Sequence, residues 1–245
     1  MAKKPSSPPP SSSSGYFGLG NRQPDWQNQI APVAARFSRE YRGEKVTLPP
    51  EVEAMPIAQE QQAGLLQARL VSPFWQLAQP KKNQACLDVG CGVSFLIYPW
   101  RDWEALFYGQ EISTVARDIL NARGPQLNSK LFKGVTLGGA DQLAYPDRQF
   151  DLVIATGFSC YYPSEYWALV LSEAKRVLKP GGFFVFDVLD ETSALAENWA
   201  ILETYSGAEV FLEPASSWKQ VIQASHGSIV KTLPGELFHL YKVKF

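Results

Sequence analysis

An α/β fold built on a doubly wound, seven-stranded, mostly parallel sheet follows from three features of the sequence. Between residues 85 and 189, short and nearly continuous apolar runs alternate with segments of helical character. That is the rhythm of buried strands with helices on both faces. The first run, Ala85-Cys-Leu-Asp-Val89, enters Gly90-Cys91-Gly92, a glycine turn whose backbone can pass close to a ligand. The second run ends at Gln110-Glu111, so a carboxylate stands at a strand tip 19 residues after Gly92. In doubly wound nucleotide-binding folds that position grips ribose hydroxyls.

The elements follow in order. Residues 25–57 carry Trp26, Ile30, Phe37 and Tyr41 among polar positions and predict one or two short helices ending before Leu48-Pro49-Pro50. Residues 57–72 predict a helix with Leu65, Leu66, Arg69 and Leu70 near one face, ended or kinked by Pro73. The first strand is 85–89, and a short helix from about Ser94 is disturbed at Pro99. The second strand is 105–110; Ser113 is a good N-cap for the next helix and Gly124-Pro125 a good terminus. The third strand is 131–137, the fourth 150–155. A helix over 164–178 is closed by Lys179-Pro180-Gly181-Gly182 and leads into a fifth strand, 183–189.

Beyond strand five the rhythm changes. A helix over 193–205, a short extended piece and a helix over 216–225 precede two apolar runs, 228–233 and 236–244. Pro234-Gly235 joins these runs and is too short for a crossover helix, so they must be antiparallel neighbours.

The chain's 245 residues, 45% of them hydrophobic, suffice for one sizeable core plus extensions. A net charge of −1 argues against nucleic acid as the main partner. Cys86, Cys91 and Cys160 form neither a disulfide framework nor a metal spacing, and His226 and His239 lie far from them. The expectation is a reducing compartment, the cytoplasm, with no structural metal. No apolar run reaches the roughly 18 residues of a transmembrane span. Residues 1–20 are Ser- and Pro-rich without a signal-peptide apolar core, and predict a disordered tail. The alternative, an organelle transit peptide suggested by the acid-free, Ser-rich start, is opposed by its proline cluster.

Five parallel strands closed by an antiparallel hairpin, with Leu87-Asp88-Val89-Gly90-Cys91-Gly92 at the first turn, resemble the class I S-adenosylmethionine-dependent methyltransferases. The resemblance covers roughly residues 80–245. It extends to Glu111, to Leu143-Ala-Tyr-Pro-Asp-Arg-Gln-Phe-Asp-Leu-Val153 before strand four, and to Arg176-Val-Leu-Lys-Pro-Gly-Gly182 before strand five. It implies the strand order 3-2-1-4-5-7-6 and S-adenosylmethionine as cofactor, with S-adenosylhomocysteine as product. A nicotinamide dehydrogenase would need a third glycine three residues after Gly92, where this chain has Phe95.

The resemblance also implies roles. Gly90, Cys91 and Gly92 bring backbone to the methionine part of the cofactor. Asp88 orients that turn and reaches the ammonium group, against a bland reading as a turn cap. Glu111 accepts from both ribose hydroxyls, against a solvated helix-capping acid, with Ile112 beside it. Thr156 and Gly157 lie by the methionine group. Two positions depart from the pattern. Ser94 replaces the third glycine of G-x-G-x-G, and Gly139 stands where the acid facing the adenine amino group is expected. Asp141, two residues on, or the backbone of Ala140, would then serve the adenine.

No catalytic base is evident. Tyr161 and Tyr162 follow strand four and are candidates to line the acceptor pocket or to act through a phenol, against plain packing. The absence of Asn-Pro-Pro-Tyr there argues against amide or adenine nitrogens as acceptors. The expected organisation is a tail over 1–20, a helical lid over 21–79 and the cofactor domain over 80–245, with 191–215 inserted near the acceptor. The expected function is methyl transfer to a small molecule, apolar or aromatic in keeping with the aromatic flanks, by a monomer or homodimer. The rival readings are a methyltransferase-like binding or assembly protein and a protein methyltransferase.

Overall fold

A computed structural model describes residues 26–245; the tail expected over 1–20 lies outside them. Seven strands form one sheet: β1 (Ala85–Val89), β2 (Leu106–Glu111), β3 (Phe132–Leu137), β4 (Phe150–Ala155), β5 (Leu178–Leu189), β6 (Ser228–Leu233) and β7 (Phe238–Lys244). Their order is β3-β2-β1-β4-β5-β7-β6, parallel from β3 through β5 and antiparallel from β5 to β7 and β6. The order reverses direction between β1 and β4, which opens a crevice beyond their carboxyl ends.

Alternation along each strand builds two apolar layers. Leu87, Val153, Phe184 and Phe186 face one side, where Trp167 of α9 (Ser164–Val177) stacks on Phe158 and Phe186 with centroids 5.2 Å from each. Cys86, Ile154 and Val185 face the other, against Phe74, Trp100 and Leu120 of α8 (Thr114–Asn128). A smaller cluster of Leu48, Val52, Ile57, Ala58 and Leu66 packs on Leu202 of α10 (Ala196–Ser206), tying the N-terminal helices to the segment after β5.

Four expectations are corrected. The region before Pro49 is one 15-residue helix, α1 (Gln27–Tyr41), and α2 (Pro50–Glu53) begins at the second proline, where a missing N–H is tolerated. The helix expected over 57–72 is two, α3 (Pro56–Gln62) and α4 (Leu66–Leu70), because Gly64 between them takes φ +71°. Ser113 does cap α8, its Oγ accepting from the Ala116 N–H at 3.3 Å, but α8 runs on through Gly124 and Pro125. A Cβ at Gly124 would lie 2.6 Å from the Phe132 ring, so that glycine allows close packing against β3 and does not end the helix. Lastly, β5 starts at Leu178 and takes Lys179-Pro180-Gly181-Gly182 into the strand, with a register shift against β4 between Phe150 and Leu152.

Candidate active site

A cavity of about 1780 Å³ opens beyond the carboxyl ends of β1, β4 and β5, roofed by residues of α1, α4 and the segment after them. Single-ligand pockets run to about 300–1,000 Å³, so this one has room for two molecules side by side.

The turn after β1 forms one wall. Gly90 and Gly92 take φ +65° and +49°. A Cβ at Gly90 would sit 2.7 Å from the Phe158 ring, and one at Gly92 would overlap the Tyr41 hydroxyl. Both positions therefore require glycine for backbone shape and for space. Glu111, 4% exposed at the tip of β2, accepts the Gly92 N–H on Oε2 and the Ser113 N–H on Oε1, each at 2.8 Å. Burial raises its pKa and these donors pull back against that. Asp88 accepts from the Ser94 hydroxyl; burial pushes it up to about 7, and the Glu111 charge adds to the rise. Ser94, which departs from the glycine pattern, thus fixes the first acid of the site.

Asp187 on β5 is a third buried carboxylate, 1% exposed and pushed by burial to about 6. The Gly157 N–H donates to both its oxygens at 3.0 Å, and the Ser72 hydroxyl donates to Oδ2 at 2.5 Å. Nearby hydroxyls and amides hold these three acids, and no cationic side chain lowers any of them. Around Asp88 and Glu111 such a lining suits a ligand that carries positive charge and paired hydroxyls, which fits the methionine and ribose parts of S-adenosylmethionine.

Beside β2 the Gln110 amide donates to the Gly139 and Gln142 carbonyls at 2.5 and 2.9 Å and fixes the loop between them. The Ala140 N–H donates to the Tyr166 hydroxyl at 3.1 Å, which in turn donates to Asp141 Oδ1 at 3.0 Å. Asp141 Oδ1 stands in the space that a side chain at Gly139 would enter.

Of the residues expected at the site, Asp88, Gly90, Cys91 and Gly92 line the cavity with Glu111 and Ile112. Ala140, Thr156, Gly157, Tyr161 and Tyr162 line it as well. Asp141 does not: it borders a separate depression of about 490 Å³ beside Trp26. The Tyr161 hydroxyl donates to Glu203 Oε2 at 2.9 Å, and Tyr162 stacks on Tyr166 with centroids 4.3 Å apart. Burial raises both phenols, so they stay protonated and act as a donor and a wall. Asp187, Ser72, Tyr41 and Arg36 were not anticipated. A lone acid inside Phe183-Phe-Val-Phe-Asp-Val-Leu189 was the available signal for Asp187; the other three become site residues only through tertiary contact. Among the described residues no group of three His, Cys, Asp or Glu side chains could hold a metal.

A methyltransferase domain family matches residues 87–186. A sterol 4-C-methyltransferase from Caenorhabditis elegans is 28% identical over 109 residues, 44% of this chain and 32% of that protein. A fatty-acid O-methyltransferase from Mycolicibacterium smegmatis is 26% identical over 167 residues, 64% of this chain and 57% of that one. The chain thus spans about a third of the one relative and just over half of the other. Among solved structures, the geranyl diphosphate C-methyltransferase of Streptomyces coelicolor, in complex with S-adenosyl-L-homocysteine, aligns with a TM-score of 0.61 at 12% identity. The alignment covers 87% of this chain and 97% of that one, and at this identity the likeness is one of fold.

Proposed function

We propose that this chain, which carries a methyltransferase domain of the class I, Rossmann-like type, transfers a methyl group from S-adenosylmethionine to an apolar small molecule. The observation that carries the reading is Glu111, buried at the cavity wall and oriented by the Gly92 and Ser113 amides. Each of its oxygens keeps a lone pair for a ribose hydroxyl. The bound cofactor supplies a methyl on positively charged sulfur.

The chain's own residues do the rest. Asp88 neutralises the ammonium end, and the Gly90–Gly92 backbone receives the methionine part. Ala140, which lines the cavity, serves the adenine edge. Thr156 and Gly157 border the point of transfer. Aligning the two reactants in a dry cavity is worth roughly 7–11 kcal/mol of the barrier.

Residues 26–79, the described part of the helical extension, act as the lid. Val46, Val71 and Ile97, 41%, 39% and 65% exposed, give the cavity an apolar mouth suited to an apolar acceptor. The names of the sterol and fatty-acid relatives point to acceptors of the same character.

Calorimetric titration with S-adenosylhomocysteine tests the reading. Wild type is expected to bind with micromolar affinity, and Glu111→Ala at least about tenfold more weakly, the loss of about 1.4 kcal/mol. No binding to well-folded wild type would leave a scaffold without cofactor and sink the proposal.

A further inference from the structure

Asp187 has no task in cofactor binding as described above. It is the one acid among the apolar side chains of its strand, and it points to the same sheet side as Asp88 and Val185. Its place is set by the sheet. β5 lies beyond β4 from β1, and β2 lies on the far side of β1. Three strand spacings of roughly 4.8 Å put Asp187 about 14 Å across the cavity from the Glu111 strand, out of reach of a ribose held there. It accepts the N–H of Gly157, just beyond β4, which the methyltransferase reading sets beside the transferred methyl, and the Ser72 hydroxyl of the N-terminal segment donates to the same carboxylate. This inference rests on the methyltransferase reading.

We propose that Asp187 is the general base for the acceptor, and that the acceptor is an apolar molecule with a phenolic or enolic hydroxyl. In the step, the acceptor O–H bond breaks and its proton moves to a carboxylate oxygen of Asp187. The freed oxygen electron pair forms the new O–CH3 bond while the bond from that methyl to sulfur breaks, its pair staying on sulfur. The products are a methyl ether, neutral S-adenosylhomocysteine and a protonated Asp187 that later returns its proton to water. The titratable groups facing Asp187 are Tyr98 after α6 (Ser94–Ile97) and Cys160 after β4. Burial pushes Tyr98 up to about 12 and raises Cys160 as well, so both stay protonated and neither competes for the acceptor proton. A carboxylate that titrates near 6 matches a base working at neutral pH.

The test uses the full chain saturated with S-adenosylhomocysteine, carbon-13 labels on the aspartate carboxyls, and para-octylphenol as probe. One carboxyl resonance should titrate at about 6, be missing from Asp187→Asn, and change its midpoint when the phenol is added. With S-adenosylmethionine, wild type should methylate the phenol. Asp187→Asn should lose about 100-fold or more of that rate, with its affinity for S-adenosylhomocysteine unchanged. Ser72→Ala removes a donor to the ionised form, so it should raise the carboxyl midpoint and move the acid limb of the rate upward by the same amount. A merely structural Asp187 would leave that limb in place.

A resonance that the phenol leaves unmoved overturns the proposal, as does wild type that forms no methyl ether. Asp187→Asn that keeps its rate overturns it too. If Asp187→Asn loses S-adenosylhomocysteine as Glu111→Ala does, Asp187 belongs to the cofactor half and the base assignment fails. Wild type that never binds S-adenosylhomocysteine refutes the methyltransferase reading itself.

Discussion

The Arg36 guanidinium of α1 grips the Glu203 carboxylate of α10 with two prongs, Nε to Oε2 at 2.8 Å and Nη2 to Oε1 at 2.9 Å. Arg36 is 6% exposed and Glu203 fully buried, so the pair holds the proposed lid to the segment after β5 inside the protein. The Tyr161 hydroxyl shares the same carboxylate, and the Arg39 guanidinium donates to the Ser206 carbonyl at 2.7 Å. Removing one partner of a buried pair strands the other charge, which costs about 3–5 kcal/mol. Arg36→Met is therefore expected to lower stability by about that amount in urea unfolding. Arg36→Met with Glu203→Met should recover most of the loss, because no charge is then left alone.

Gly92 and Tyr41 make a second, local relationship. Gly92→Ala places a methyl on the Tyr41 hydroxyl and forces alanine into the left-handed region at φ +49°, which alone costs about 1–2 kcal/mol. The variant should bind S-adenosylhomocysteine at least tenfold more weakly, a loss of about 1.4 kcal/mol. Adding Tyr41→Phe removes the oxygen that the new methyl meets. A double-mutant cycle in urea unfolding should then show Tyr41→Phe costing less stability in the Gly92→Ala background than in wild type.

The buried acids set a pH dependence whose sign is unusual for carboxylates. Asp88 and Asp187 are raised to about 7 and about 6, above the ordinary 3.8. Between these limits the folded chain holds protons that the unfolded chain has released. Their contribution to stability therefore falls as pH rises from about 4 to about 7 and is level above that. Raising a carboxyl pKa by one corresponds to about 1.4 kcal/mol, so Asp88→Asn should stabilise the ligand-free protein by roughly 1–4 kcal/mol at about pH 8 and by almost nothing at about pH 4. Urea unfolding at the two pH values checks it; equal effects at both would refute the raised pKa.

Local pattern carried much of this molecule. The bounds of β1 and β4 and the hairpin pairing of β6 with β7 follow from apolar runs and from a link too short to cross over. Gly124 misled because a glycine that ends a helix and one that admits a neighbouring ring look alike in sequence. The glycine turn and Glu111 were legible because they sit on consecutive elements at fixed spacing. Arg36 and Glu203 are 167 residues apart, and no local rule pairs them. Asp187 stood visible as an acid in an apolar strand, but its neighbours Ser72 and Gly157 come from elements 115 and 30 residues away.

Asp141 poses the last question, since Gly139 occupies the place of the acid expected at the adenine. Asp141 Oδ1 fills the space in front of Gly139, where the Tyr166 hydroxyl holds it, and the residue borders a depression beside the cavity. That hydroxyl also accepts the Ala140 N–H, so the two groups proposed for the adenine meet at Tyr166. If the carboxylate takes the adenine amino group from this position, Asp141→Ala should weaken S-adenosylhomocysteine binding by about 1.5–3 kcal/mol, the worth of a hydrogen bond to a charged group. An analogue whose adenine amino group is replaced by hydrogen should bind wild type and variant alike. Calorimetry with both ligands decides. An equal loss for both ligands would mean that Asp141 supports the loop without touching the adenine. No loss for either would leave the Ala140 backbone to bind the adenine alone.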